Sequence, residues 1–293
     1  MQPIRNWIAN YIELFCGVLL ALFVGLVYFN WCWILSHHEE LRNLGLFITT
    51  VVGIPFLMWR TIIASKDADT NRFNHVRKTY TDAINQIGAI NTEGQPNMEV
   101  RLGAIFTLEQ LAKNNQGYHP HIIQILCSYL RNNAPIPDGC ETEMWVLRPC
   151  TSDIQAILDV IGRRKIGFDP KGMRLNIQKT YLPMVHLSGN FEGAIFRGAK
   201  FNKAIFNGAK LSGANFYYAN LTGADFSDST LIGAKFHHAD LQDTTWFDAD
   251  LNGATLMLSK NLTCEALEEA KNWKLALRNE DLTCGTHHPR FNL

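Results

Sequence analysis

The chain has 293 residues, enough for more than one packed unit, and its formal net charge is zero. That balance excludes a generally basic nucleic-acid binder and a strongly acidic mimic of nucleic acid. The seven cysteines, Cys16, Cys32, Cys127, Cys140, Cys150, Cys264 and Cys284, are scattered and never spaced Cys-x-x-Cys, which reads as reduced thiols in a cytosolic compartment.

From Tyr11 to Leu35 the chain is almost wholly apolar, with Glu13 its only charge. At about 1.5 Å per residue this run is long enough to cross a hydrocarbon core of roughly 30 Å. It ends at Asn30-Trp31-Cys32-Trp33, without the small-residue cleavage site of a signal peptide. A second apolar run, Leu44 to Trp59, is interrupted by Pro55 and follows a short polar connector, Ser36 to Asn43, suited to joining two antiparallel helices. Trp7, Tyr11 and Trp59 would meet one interface, and Tyr28, Trp31 and Trp33 the other. The expectation is a two-span protein of the bacterial inner membrane, in contact with lipid. Arg5 before the first run and Arg60, Lys66, Arg72, Arg77 and Lys78 after the second, against Arg42 alone in the connector, put both termini in the cytoplasm. Small residues recur at every fourth position, Gly17, Ala21, Gly25 and Gly45, Thr49, Gly53, and predict close helix packing with a seam left for homo-oligomerisation. Glu13 lies near enough to the interface to snorkel.

Four amphipathic helices follow. Phe73, Val76, Tyr80, Ala83, Ile84 and Ile87 repeat at helical spacing, as do Val100, Ala104, Ile105, Leu108, Leu111 and Ala112. A third helix after Pro120 carries Ile122, Ile125, Leu126, Tyr129 and Leu130, and a fourth opens at the capping-box pattern Ser152-Asp153-Ile154-Gln155, with Ile154, Ile157, Leu158 and Ile161 inward. The pair joined across Asn114 to Pro120 resembles a single HEAT-like unit, and Val100-Arg101-Leu102-Gly103-Ala104-Ile105 resembles a stretch in helical modules of bacterial pentapeptide-repeat proteins. The segment Asn132 to Pro149, with Pro135, Pro137, Asp138 and Gly139, reads as an irregular loop, in which Trp145 is either a packing anchor or a partner contact.

From Phe191 to Leu256 the period is five: every fifth residue is large and apolar, and the residue two positions earlier is small, alanine in most repeats and Gly189, Ser229 or Thr244 elsewhere. A helix cannot use this pattern, because five residues rotate by about 500° and the stripe would wind around it. A straight strand cannot either, since residues five apart alternate faces. A turn after each repeat lets the small and large residues point inward from one short extended segment, so that coils stack at about 4.8 Å and bury an apolar ladder. Ala214-Asn215-Phe216, Ala219-Asn220-Leu221, Ala224-Asp225-Phe226 and Ala239-Asp240-Leu241 resemble the pentapeptide-repeat family. The resemblance implies a right-handed quadrilateral β-helix with four repeats per coil, about three and a half coils in all. Ile177, Leu182 and Leu187 suggest an earlier start in a shifted register, since Leu187 to Phe191 is a step of four. Thr263 as N-cap, Glu265 in the first turn, and Leu267, Ala270 and Trp273 or Lys274 predict a helical lid over the last coil.

The expected fold is therefore mixed: two transmembrane α-helices (1–65), a small HEAT-like α-helical module (66–170), a pentapeptide-repeat β-helix (171–258), and a C-terminal capping helix and tail (259–293). No phosphate loop, nucleophile elbow or metalloprotease helix is present, and the close histidine pairs, including His119-Pro120-His121 and His237-His238, form no recognised ligand motif, so neither enzyme activity nor a cofactor or metal is expected. Arg197, Lys200, Lys203 and Lys210 lie in the early repeats and Asp225, Asp228, Asp240, Asp243, Asp248 and Asp250 in the later ones, a bipolar surface that either docks a partner or is a solvated face. The leading functional expectation is a membrane-tethered, non-enzymatic interaction protein with a cytoplasmic protein partner. The alternatives are an oligomerising membrane effector in stress or antiphage defence and, as the family resemblance implies, a DNA-mimicking topoisomerase binder; direct nucleic-acid binding is not expected.

Overall fold

The computed structural model describes residues 53–137, 148–279 and 284. Two compact units divide at Asn74 and His75. Helix α1, Ile54–Gln86, begins in the first and ends in the second.

The two expected spans and the inner-membrane location, with both termini in the cytoplasm, are overturned: among the described residues no helix is long and apolar enough to cross a membrane. The first run, Tyr11–Leu35, lies outside the described residues, as do Gly17, Ala21, Gly25, Gly45 and Thr49 of the expected packing seams. What is described of the second run begins at Gly53 and continues without a break into α1, where Arg60, Lys66, Asp67, Asp69 and Arg72 follow. A crossing helix needs about 20 predominantly apolar residues, and the apolar start of α1 gives way to charge within about three turns.

In the second unit, α2 (Met98–Asn114), α3 (His119–Asn133) and α4 (Ser152–Gly162) pack on one another, and the end of α1 adds Ala83, with Ile87 just beyond it, to their core. Ala83, Ile105, Leu108, Ile122, Leu126, Ile157 and Ile161 form the shared core, whereas Phe73 is exposed. Asn97 caps α2, its side chain accepting from the Val100 amide at 3.3 Å. The N-cap of α4 is Thr151 rather than Ser152, and its hydroxyl donates to Asp153 instead of accepting from a backbone amide. Three polar clusters tie these helices together. Arg101 donates to Tyr129 Oη (2.9 Å), which donates to Asp153 Oδ2 (2.7 Å), and Arg101 also meets Asp153 directly at 3.3 Å. Arg163 holds Glu109 in a bidentate pair, Nε and Nη2 donating to its two carboxylate oxygens at 2.6 and 2.9 Å. Asp169 joins buried His119 (2.8 Å) to Arg164 (2.9 Å).

The repeats wind into coils whose walls are single bridging residues. Every named element among the described residues is helical, so the sides are shorter than the strands expected of a β-helix. Parallel bridges such as Asn190↔Lys210, Asn215↔Lys235 and Asn220↔Asp240 step by twenty residues, four repeats to a turn of the coil. Inside, like residues stack: Phe206 on Phe226 (4.7 Å), Phe226 on Trp246 (4.7 Å), and Phe216 on Phe236 (4.9 Å), all fully buried. Burying each such ring is worth about 1.5–3 kcal/mol. Thr244 replaces alanine where Trp246 needs a partner, and its hydroxyl accepts the indole N–H at 2.8 Å.

The first coil pairs Asn176↔Ile195, Tyr181↔Lys200 and His186↔Ile205, a step of nineteen that absorbs the short spacing before Phe191. The missing residue makes room for α4. The Asn190 amide donates to the Gly162 carbonyl at 2.8 Å, and a Cβ on Gly162 would stand 2.0 Å from the Ser188 carbonyl oxygen. The other sides of this coil are also met by the helices: Tyr181 N–H donates to Ala134 O (2.7 Å), Gln155 exchanges hydrogen bonds with His186 (2.7 and 3.0 Å), and Arg131 donates to Asn176 O. An open sheet edge is thereby closed.

At the far end, Lys260, Lys271 and Leu277 pair with Asp240, Asp250 and Thr255 on three sides, and the chain between Lys260 and Lys271 carries the short helix α5, Cys264–Glu268, capped by Thr263. Cys264 and Cys284 form a disulfide there, which corrects the expectation that every thiol is reduced. The partners meet only because the segment Lys271–Leu277 returns along the last coil, and linear spacing carries no trace of that return. Cys127 and Cys150 are free, and burial pushes both thiols up to about 12.

Candidate interaction surface

Each repeat places its inward large residue at the start of a turn. The carbonyl of Phe216 accepts the Ala219 amide at 2.9 Å, and the residue two after the large one takes positive φ, as Gly213 and Gly233 do at 66° each. That is the geometry of a type II turn, which favours glycine at this position. Asparagine or aspartate before the large residue reinforces the turn: Asn215 accepts from the Tyr217 amide (3.0 Å), Asn220 from Thr222 (3.0 Å) and Asp225 from Ser227 (2.9 Å).

This chemistry reassigns several of the expected partner residues. Asp225, Asp240 and Asp250 are turn-formers; Asp240 also accepts from Asn261 and Asp250 from Asn272, each at 2.8 Å. Asp248 pairs with Lys271 at 3.0 Å. Asp228 and Asp243 occupy left-handed turn positions, with φ of 58° and 54°, and so does Lys203 at 55°. Lys200 and Asp240 share one side, with Asn220 between them, and Lys210 and Asp250 share another. The charge therefore changes along the axis and is not gathered into one patch. Arg197, Lys200, Lys203 and Lys210 make no ion pair among the described residues.

A second feature emerges at the corner between the Lys235 and Lys200 sides. Tyr217 stacks on His237 (4.8 Å, 3°) and Tyr218 on His238 (4.7 Å, 1°), with the Arg197 guanidinium over Tyr218 at 6.0 Å. Tyr218 is 52% exposed, and Met257 (42%) and Leu258 (51%) continue the column. Tyr218, His238 and Leu258 hold φ of 58°, 57° and 60°, where a bulky side chain is uncommon and strained. Burial, His238 and Lys235 together lower the His237 pKa, and its Nδ1 lies 3.3 Å from the Thr255 hydroxyl. The five-residue period conceals this column. Its signal is the twenty-residue spacing of Tyr217-Tyr218 and His237-His238, legible only once four repeats are known to make a coil. Among the described residues no group of three or more metal-binding side chains converges.

A family model for pentapeptide repeats matches residues 188–213 and 209–245, in eight copies. No curated protein matches the chain. Among solved structures, the chain is similar to HetL, a pentapeptide repeat protein involved in heterocyst differentiation regulation from the cyanobacterium Nostoc sp. strain PCC 7120, at 23% identity over 38% of this chain and 53% of that one, with a TM-score of 0.26. It is similar also to a pentapeptide repeat protein of the Arabidopsis thaliana thylakoid lumen, at 26% identity over 27% of this chain and 63% of that one (TM-score 0.18). Full-length QnrB1, a plasmid-mediated fluoroquinolone resistance protein, matches at 14% identity over 36% of this chain and 68% of that one (TM-score 0.17). The chain thus spans less than two thirds of the first two of these proteins. Matched residues, twenty-residue coils and turn chemistry agree: the chain carries a pentapeptide-repeat solenoid, closed at its start by a helical module.

Proposed function

We propose that the chain is a non-enzymatic interaction protein whose solenoid docks an acidic segment of a protein partner along the corner from Arg197 through Tyr218 and His238 to Leu258. The observation that carries this reading is the ladder of stacked, partly exposed rings with the Arg197 guanidinium at its start. Exposed tyrosine beside arginine is the composition of interface hot spots, and Lys200 and Lys235 flank the column on its two sides. A DNA-mimicking role is disfavoured, because that role needs rows of free acids, whereas here the early coils carry unpaired cations and most of the acids form turns or pair within the coil. A photo-reactive phenylalanine analogue placed at Tyr218 tests the reading, with the same analogue at Ile232 on another corner as the control. A discrete crosslinked protein at 218 and none at 232 is expected; equal labelling at both would sink the proposal.

A further inference from the structure

The solenoid's register does not stop at Leu256. Ala276-Leu277-Arg278 repeats the small-x-large pattern one coil on: Leu277 bridges Thr255, its amide donates to the Ala254 carbonyl at 2.8 Å, and Ala276 is fully buried. Arg278 therefore occupies the inward position that Phe196, Phe216, Phe236 and Leu256 fill in the coils below. It is 8% exposed, and none of its three guanidinium nitrogens has a hydrogen-bond partner among the described residues. The Trp273 ring lies against the guanidinium at 4.8 Å, and Glu268, which among the described residues is the carboxylate that acts on it electrostatically, makes no hydrogen bond to it.

Apolar packing does not explain this choice of residue, since leucine or phenylalanine at 278 would complete the ladder without an orphaned charge. A buried guanidinium with no acceptor is strongly destabilising, and a planar fork of donors is suited to a carboxylate or phosphate held by two parallel hydrogen bonds. Trp273, half-buried on a one-turn 3-10 segment, covers the guanidinium. We infer that Arg278 is the seat of an oxyanion-binding site beneath the C-terminal cap, with Trp273 as its lid.

The test is thermal unfolding of the full chain in sodium phosphate against sodium chloride at equal ionic strength, with sodium acetate as a third arm. Wild type is expected to melt about 3–5 °C higher in phosphate or acetate than in chloride. The arm giving the shift tells a phosphate from a carboxylate ligand. Arg278→Leu should lose the shift while melting in chloride no lower than wild type. If that variant does not fold, Arg278→Lys, which keeps charge but loses the fork, should bind several-fold more weakly. The inference is overturned if wild type shows no anion-dependent shift, if either Arg278 variant keeps the full shift, or if Glu268→Gln lowers the chloride melting point and abolishes the shift, since Glu268 would then be the partner.

Discussion

The helical module and the solenoid solve the same packing problem in opposite ways. Between α2, α3 and α4 the core contains charge: buried Arg101 and Asp153 fix each other's geometry, and buried Glu109 is held by Arg163. Inside the coils from Phe191 to Leu256 the polar side chains buried on the small-residue rung are Ser229 and Thr244, whose hydroxyls donate to the carbonyl three residues back. A bundle must specify which helix faces which, and directional pairs do that. A solenoid specifies register through its turns, so its core needs only shape. One consequence is locality, because each coil meets only its neighbours.

The largest effect should come from removing a rung. Phe216→Ala takes away a ring stacked between Phe196 (5.0 Å) and Phe236 (4.9 Å) and should cost about 4 kcal/mol in urea unfolding. A loss below about 1 kcal/mol would mean that the coils do not depend on the ladder.

Breaking the buried pair comes next. Arg101→Met leaves Asp153 without its cation and should cost about 3 kcal/mol, most of it recovered when Asp153→Leu is added. The same pair sets an acid limit. Burial pushes the Asp153 carboxyl up, but hydrogen bonds from Thr151, Tyr129 and Arg101 outweigh it and hold the pKa below its ordinary value. A depressed carboxylate contributes stability that is fully present above the unfolded pKa of about 4 and is lost as pH falls through the native one. Asp153→Asn should therefore flatten the fall in melting temperature on acidification below about pH 4.

Gly162→Ala probes the joint between the two regions. Its Cβ meets backbone, which cannot rotate away, so about 2 kcal/mol should be lost with the hydrogen bond to Asn190. Smallest is Asn220→Ala, which removes one turn bond to the Thr222 amide and should cost about 1 kcal/mol without altering partner capture.

Legibility in the sequence follows the same division. The solenoid ladder could be read residue by residue because a short exact period admits one geometry, and the small-large pairs from Ala194 to Leu256 are buried where the pattern puts them, Gly189 before Phe191 being exposed. The helical stripes were legible too, since Ala104, Leu108, Ile157 and Ile161 all point inward. Relations between distant segments were not. Nothing linear announces that Gly162 meets Ser188, that Cys264 finds Cys284, or that Arg278 takes up the register of Leu256. The apolar start of α1 misled because Arg60, Lys66 and Arg72 were read as a flank beyond a span, whereas they belong to the same helix. Counting acids along the solenoid also does not show that Asp225, Asp240 and Asp250 serve their own turns.

The most direct test of the account is quantitative capture of a protein partner by the intact chain and by a corner variant, Arg197→Glu with Tyr218→Ala, alongside Ile232→Ala as control, after matching their melting temperatures. The account predicts that the protein captured by wild type falls at least about ten-fold on the corner variant and is unchanged on the control, a loss of roughly 1.4 kcal/mol or more. Equal capture by all three would contradict it.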